Sequence, residues 1–293
     1  MCTASSHDPF PRASLVARVS SNREIAPGVF ELSCKAANDG AASDAGIPAP
    51  EPGQFFMLRA RPSAVLLGRP ISVYRHSGGE VVFLILKKGR GTEELCALRS
   101  GDELDLLGPI GNRFVLPAEL VANGLVSSSV LPASPSRAPR VALVGGGIGV
   151  APVAGFSFFL ETGSFDFYAS FRSAPYGLDG IEGRAANVTI TTEDGSAGVK
   201  GMLPAVFKAE RYDLVYACGP TPMLRYVQGA CAAARDARSA PGKSSALPVS
   251  FLSLEERMAC GAGACLGCTV RTVAGNRRCC VDGPVFNGAE VIL

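Results

Sequence analysis

The chain has 293 residues, of which 47% are hydrophobic and 18% charged, with a formal net charge of +2. That length suits two domains with at most a small appendage. The near-neutral balance and the lack of a long basic run argue against nucleic-acid binding, and a charged fraction below the usual quarter implies broad surfaces covered by partners.

Met1 to Arg12 lacks the charged-then-apolar pattern of a signal peptide and is expected to be a frayed tail. With ten cysteines in the chain, this points to a reducing, cytoplasmic setting. Short β-like runs follow at Leu15–Ser20, Val29–Cys34, Gln54–Arg59, Ile71–Tyr74, Val81–Leu86 and Glu103–Leu107, with turn residues and no helical period between them. This pattern predicts an antiparallel barrel. Ala37 to Gly53 reads as an excursion between strands, and Ser127 to Arg140, rich in Ser and Pro, as a linker. Beyond it, Val141–Val144, Phe165–Phe171, Val188–Thr192 and Leu214–Ala217 read as buried parallel strands alternating with helix-like segments, which predicts a doubly wound α/β domain. The uncharged run from Val141 to Leu160 is long enough on paper to cross a bilayer. Its glycines and Pro152 fit a buried strand, a turn and a helix start better, so no membrane insertion is expected. Thr221 followed by Pro222 opens a helix, with Thr as cap and Pro in the first turn. From about Pro248 a final strand leads into a cysteine loop, giving expected units of 13–126, 138–247 and 248–293.

That loop carries the strongest chemical signal. Cys260, Cys265 and Cys268 are spaced C-x4-C-x2-C, and the adjacent Cys279 and Cys280 follow. This is how thiolates are presented to a plant-type [2Fe-2S] cluster. Soft thiolates select iron–sulfur or zinc over hard metals. A closed zinc site usually shows two C-x2-C pairs, whereas only one is present here, and disulfides do not suit a reducing compartment. Gly261, Gly263 and Gly267 are expected to let the backbone wrap the inorganic core through positive φ. Only one of Cys279 and Cys280 is expected to reach metal.

Four other motifs suit phosphates and rings. Gly145, Gly146, Gly147 and Gly149 lie where a first strand meets a helix, so backbone N–H groups can approach a pyrophosphate there. Their spacing departs from G-x-G-x-x-G, and alone it also fits a structural turn. A second strand end, Tyr216-Ala-Cys-Gly-Pro, brings Gly219 and Pro220 toward the same crevice, where Cys218 could touch a nicotinamide. Arg69, Pro70, Ile71 and Ser72 offer a planar cationic fork and a hydroxyl, as an ordinary surface turn also would. Gly91 and Thr92, and Gly108 and Gly111, lie in further phosphate-friendly turns. His7 and His76 stand in no motif and read as surface residues, so no acid–base constellation is expected.

Together these residues resemble the ferredoxin–NADP reductase superfamily. Glu256-Arg-Met-Ala-Cys-Gly-Ala-Gly-Ala-Cys-Leu-Gly-Cys and Cys280-Val-Asp-Gly-Pro-Val-Phe are similar, more narrowly, to the electron-transfer subunits of NAD-dependent dihydroorotate dehydrogenases. The resemblance covers nearly the whole chain, apart from the inserts at 37–53 and 127–140 and a short gap between the third and fourth cysteines. It implies an FAD-binding barrel using Arg69, Pro70, Ile71 and Ser72, an NAD-binding α/β domain, and Cys280 as fourth ligand with Cys279 spare. It also implies an FMN-containing dihydroorotate dehydrogenase catalytic subunit as partner, in a heterotetramer of two plus two. Electrons would pass from it through [2Fe-2S] and FAD to NAD+, the flavin converting between one- and two-electron chemistry. The second α/β strand ends in Phe171-Arg-Ser without the acid expected for a ribose 2′-OH, so Arg172 leaves NADP open while the resemblance favours NAD. Arg257, Arg271, Arg277 and Arg278 flank the cysteines, either to offset an anionic cluster or simply as solvated charges. The rival readings are another flavin/iron–sulfur NAD(P)H oxidoreductase, linked to ferredoxin or sulfide, and a zinc-stabilised binding module.

Overall fold

A computed structural model of the chain describes residues 13–37, 46–122, 138–239 and 247–293. His7, the N-terminal tail, residues 38–45 of the first insert and most of the second lie outside them. Six strands close an antiparallel barrel: β1 (Ala13–Ala26), β2 (Val29–Ala36), β3 (Phe55–Arg61), β4 (Arg69–Ser77), β5 (Glu80–Leu86) and β6 (Glu103–Ile110), in the order β1-β2-β5-β4-β3-β6. Period-two alternation fills it. Leu32, Phe56, Leu58, Val73, Phe83, Ile85, Leu104 and Leu106 form one buried cluster. Each such side chain stabilises by about 1.5–3 kcal/mol on burial. Helix α1 (Arg90–Ala97) lies between β5 and β6, where no helical period was expected. Two turns are too short to display one, and only Gly91, Leu95 and Cys96 are buried on its inner side. A second short helix, α2 (Pro117–Ala122), follows the barrel.

The second half alternates β7 (Val141–Gly146), α3 (Val150–Ser157), β8 (Phe165–Phe171), β9 (Asn187–Thr192), β10 (Val199–Lys200), β11 (Leu214–Cys218), α4 (Thr221–Arg238) and β12 (Val249–Ser253). The strands β10-β9-β8-β7-β11-β12 pair in parallel in that order. Along β7 and β11 the side chains alternate between two cores. Val141, Leu143, Leu214 and Tyr216 pack with α3 on one face, while Ala142, Val144, Val215 and Ala217 pack with α4 on the other. The sheet is therefore doubly wound, as expected. The run from Val141 to Leu160 resolves into β7, a glycine turn and α3, and no helix among the described residues is long and apolar enough to cross a membrane. Pro152 is tolerated because the first N–H groups of a helix have no partner within it. At α4 the helix begins with Thr221 itself, and no side chain caps it.

The C-terminal segment continues through a hairpin, β13 (Thr269–Thr272) and β14 (Gly275–Arg278), to β15 (Val285–Asn287). β15 adds to the sheet antiparallel to β12, with Ser253 opposite Val285 and Leu252 opposite Phe286. Val249–Ser253, read with the cysteine segment from sequence, is a parallel neighbour of β11.

The barrel meets the α/β domain through α3, which packs on β4. A β-carbon at Gly155 would meet the Tyr74 carbonyl oxygen at 2.5 Å, so only glycine lets α3 approach β4 this closely. Phe114, fully buried, stacks on Phe156 with ring centroids 5.0 Å apart and meets Tyr216 edge-on at 5.8 Å. The Tyr216 hydroxyl donates to the Val115 carbonyl at 2.8 Å. Phe114→Ala should cost about 3–5 kcal/mol of stability by truncating this junction. A shift in the denaturant midpoint measured by circular dichroism will check it.

Candidate cluster and dinucleotide sites

The two glycine-bearing strand ends predicted to share a crevice do meet. β7 and β11 are parallel neighbours, with Gly145 opposite Cys218. A β-carbon at Gly149 would stand 2.6 Å from the Cys218 carbonyl and from the Gly219 Cα. One at Gly146 would be 2.5 Å from the Met223 sulfur and 3.1 Å from Pro220. The turn is thus packed to backbone contact, with Gly147 at a φ of 53° and Tyr176 alongside it. Bare backbone at the start of α3 is the cradle a pyrophosphate requires.

Cys218 ends β11 as expected, but its thiol is buried beside Ser253, and burial raises its pKa. The strand end meets the crevice through Gly219 and Pro220. These two, with Thr221, Leu254 and Glu255, line a cavity of about 340 Å³ that extends to Thr269, Val270 and Arg271. A larger cavity of about 590 Å³, between Arg23–Ile25 and Pro175–Gly180, contains none of the predicted site residues.

Sequence reasoning missed two acidic residues, Glu193 and Asp194, whose backbone pairs with the end of β8. At the end of β9, the Glu193 N–H donates to the Phe171 carbonyl at 3.1 Å and the Asp194 N–H to the Arg172 carbonyl at 3.3 Å. The run Thr192-Glu-Asp-Gly held the signal, but only strand pairing brings it to the neighbouring strand end.

On the barrel, Arg69 opens β4 and its guanidinium lies on the first turn of α1, where a β-carbon at Gly91 would come within 2.5 Å of Nε. Its Nη1 donates to the Leu67 carbonyl at 2.9 Å, which orients the fork. The cation and the helix start form a concave, glycine-floored corner suited to a phosphate. Thr92 serves this corner indirectly. Its hydroxyl accepts from the Lys88 and Gly89 N–H groups and donates to the Gly89 carbonyl, fixing the turn. Of the rest of the motif, Ile71 packs against the barrel interior. Pro70 and Ser72, at alternate positions of the strand, share the outer face with Tyr74, which packs in the core with α3.

Two expected phosphate contacts are corrected. Gly108, at a φ of 158°, is closed by the Phe56 ring, 2.5 Å from where its β-carbon would be. Gly111, at a φ of 84°, faces the Gly283 carbonyl oxygen at the same distance. Both glycines serve packing contacts inside the protein. His76 is corrected as well: it is half-buried, with Nε2 buried and unpartnered among the described residues, and burial lowers its pKa.

The cysteines form two sulfur pairs. Cys268 and Cys280 are buried with Sγ atoms 3.3 Å apart, while Cys260 and Cys265 interact nearer the surface. Among the described residues no three His, Cys, Asp or Glu side chains converge as they would on a single ion. Backbone donors point at sulfur: Ala262 N–H and Cys265 N–H to Cys260 Sγ at 3.4 and 3.5 Å, and Gly267 N–H to Cys265 Sγ at 3.4 Å. The Ala262 and Cys265 donors pull the Cys260 thiol down to about 6, whereas burial, then its partner Cys268, push Cys280 up to about 12. Gly261 and Gly263 have φ of 65° and 79°, as expected. Gly267 does not; the third left-handed residue is Leu266, at 57° and well exposed. A left-handed leucine costs about 1–2 kcal/mol, which the loop must hold against relaxation. Cys279 is fully buried in the core, with its N–H on the Cys268 carbonyl at 3.0 Å. Arg277 and Arg278 share Asp282 at 3.8 and 3.5 Å, and Arg278 also donates to the Gly263 carbonyl.

The cysteine loop rests on the barrel. A β-carbon at Gly261 would lie 2.9 Å from Met57 Cγ and 3.1 Å from Ile110 Cδ1. Met57 pairs across β3 and β4 with Pro70 of the arginine motif, so the cysteine loop and that motif both meet this residue.

Comparison with known proteins agrees with this geometry. Residues 255–292 match the family described as the iron–sulfur cluster binding domain of dihydroorotate dehydrogenase B. The electron transfer subunit of dihydroorotate dehydrogenase B (NAD(+)) from Clostridium acetobutylicum is 37% identical over 278 residues, covering 95% of this chain and 97% of that protein. Its counterpart from Clostridium perfringens is 36% identical, covering 94% and 96%. Among solved structures, a chain of the NADH-dependent reduced ferredoxin–NADP oxidoreductase superposes with a TM-score of 0.69 at 23% identity, covering 94% of this chain and 89% of that one. The ferredoxin reductase of carbazole 1,9a-dioxygenase does so with 0.54 at 19% identity, covering 74% and 64%. These two share the fold.

Gly149→Ala should push the glycine turn off Cys218 and Gly219, with a stability loss of about 1–3 kcal/mol from overpacking. Thermal denaturation, with NADH binding titrated in parallel, will show both losses.

Proposed function

The chain belongs to the family of dihydroorotate dehydrogenase B electron-transfer subunits, and we propose that it carries electrons from a catalytic subunit to NAD+ through the two sites described above. One observation carries the reading: Gly261, next to Cys260 in the cysteine loop, sits on Met57, whose strand partner Pro70 belongs to the arginine motif of the barrel. Held there, a [2Fe-2S] cluster would supply one-electron transfer, and FAD would supply the exchange between two single electrons with a proton and the hydride that NAD+ takes.

The residues present fit these groups. Cys260 with Cys265 and Cys268 with Cys280 would hold the two irons, and the three N–H groups on sulfur stabilise anionic thiolates. Zinc is disfavoured because the thiols stand in two pairs and not around one point. Arg69 and the start of α1 would hold the flavin phosphates, with Pro70 and Ser72 on the outer face of β4. Gly145, Gly146, Gly147 and Gly149 would take the NAD pyrophosphate, with Gly219 and Pro220 closing the nicotinamide end. Glu193 and Asp194 beside Arg172 supply the acid that suits a ribose diol, which supports NAD over NADP. Apolar packing around Cys268 and Cys280 excludes water from the inner pair, and the exposed Cys265 turns the outer pair toward the surface.

The partner is a dihydroorotate-oxidising subunit bearing FMN, in an assembly of two plus two. The near-whole-length likeness to subunits of that enzyme supports this.

Wild-type protein prepared without oxygen should carry iron, sulfide and flavin, and its bound flavin should bleach with NADH; colourless protein holding zinc would overturn the reading. Cys265→Ser should lose the iron while Cys279→Ser keeps it, by iron analysis and visible spectrum. Arg69→Ala should weaken FAD by about 1.5–3 kcal/mol, the worth of a charge-assisted hydrogen bond, read by flavin retention on dilution.

A further inference from the structure

We infer that Asn112 is a positioning residue, a clamp that holds the cluster against the flavin barrel and thereby sets the rate of electron passage between them. The inference rests on the cofactor reading above. Asn112 follows β6 in the turn after Gly111, and its side chain reaches a strap, residues 281–284, that leaves Cys280 and runs into β15. Its Nδ2 donates to the Asp282 carbonyl at 3.1 Å and to the Val285 carbonyl at 2.8 Å. Its Oδ1 accepts from the Val285 N–H at 2.9 Å. Its own N–H donates to the Gly283 carbonyl at 2.5 Å. A carboxamide is the neutral side chain that offers two donors and an acceptor in one plane, so it satisfies backbone groups on both sides of the strap at once.

The clamp joins all three parts of the molecule. On the barrel side it is backed by Gln54, whose Nε2 donates to the Gly111 carbonyl at 2.7 Å. On the sheet side the strap continues as β15 against β12. On the cluster side Asp282 Oδ2 accepts from the Arg278 N–H at 2.8 Å, and Arg278 Nη1 reaches the Gly263 carbonyl at 3.2 Å, inside the cysteine loop. Gly111 is bare because the strap passes where its β-carbon would be. One side chain therefore tethers the segment bearing the inner ligand Cys280 to the barrel, while Gly261 on Met57 seats the outer part of the loop.

The test uses the full chain reconstituted with FAD, iron and sulfide, as wild type, Asn112→Leu and Asn112→Asp. Leucine removes all three side-chain bonds at similar volume; aspartate keeps the acceptor for Val285 and loses both donors. NADH delivers a hydride, two electrons and a proton, to the flavin; one electron then reduces the cluster from two ferric ions to one ferric and one ferrous, and the other stays on the flavin. Asn112→Leu should bleach flavin with NADH within about twofold of the wild-type rate, since Arg69 and the glycine turn are untouched. Its cluster, followed by rapid-freeze electron paramagnetic resonance, should become reduced at least about tenfold more slowly, because small displacements cost rate steeply. Hydrogen exchange of the Val285 amide, read in the cofactor-free chain as well, should be about tenfold faster, with Asn112→Asp intermediate. Wild-type cluster reduction in a variant whose Val285 amide has been released would overturn the clamp, as would unchanged exchange in Asn112→Leu. Wild-type protein whose flavin does not respond to NADH overturns the cofactor reading instead, and with it the role given to Asn112.

Discussion

Electron passage between two sites in a protein falls steeply with their separation, so the molecule must hold those sites at one distance. Here the constraint is met by backbone contact at glycine. Gly261 rests on the Met57 and Ile110 side chains, and Gly111 rests on the carbonyl of Gly283, so a bare glycine stands at each contact between the cysteine segment and the barrel. The same segment ends as β15 in the sheet. It is less an appendage than the piece that locks barrel and sheet together, and Asn112 stands where the three meet.

The α/β crevice is built on the same principle. Glycine at 149 and 155 brings α3 onto Gly219 and onto Tyr74, which pulls the strand ends of the sheet against the outer face of the barrel. Aromatic rings then fill the space that the close approach encloses, with Phe114 between Phe156 and Tyr216. Large inter-domain surfaces of this kind explain a low charged fraction without appeal to partners alone. At the rim, Arg75 lies over Tyr74 at 4.6 Å and Phe158 at 5.0 Å, adding about 0.5–1 kcal/mol where a cation stays partly wet.

The electrostatics of the cysteine loop divide its four thiols. Backbone N–H groups lower the Cys260 thiol near the surface, while Cys268 and Cys280 are buried together. The two pairs therefore meet different surroundings, one wet and hydrogen-bonded, the other dry. Arg277 and Arg278, counted from sequence as charges flanking the cysteines, share Asp282, so their net contribution to the local field is smaller than their number suggests.

What the sequence determined by itself was whatever depends on spacing along one stretch of chain: the C-x4-C-x2-C loop, the period-two barrel strands, the uncharged strand–turn–helix run at Val141 to Leu160, and the glycine turn at 145–149. Those signals survive because their physics is local, set by side-chain alternation and by what glycine permits. Tertiary structure decided everything that depends on what lies opposite. Gly108 and Gly111 looked like phosphate turns because a bare backbone looks the same whether a ligand or a protein carbonyl fills the space beside it. Leu266 took the left-handed position that Gly267 seemed built for, because loop closure around the sulfur pairs, not residue preference, chose where the chain turned. Glu193 and Asp194 reach the end of β8 from the next strand, and Asn112 finds its partners some 170 residues away. Pairing of distant backbone has no signature in composition or period, so only the folded chain could show it.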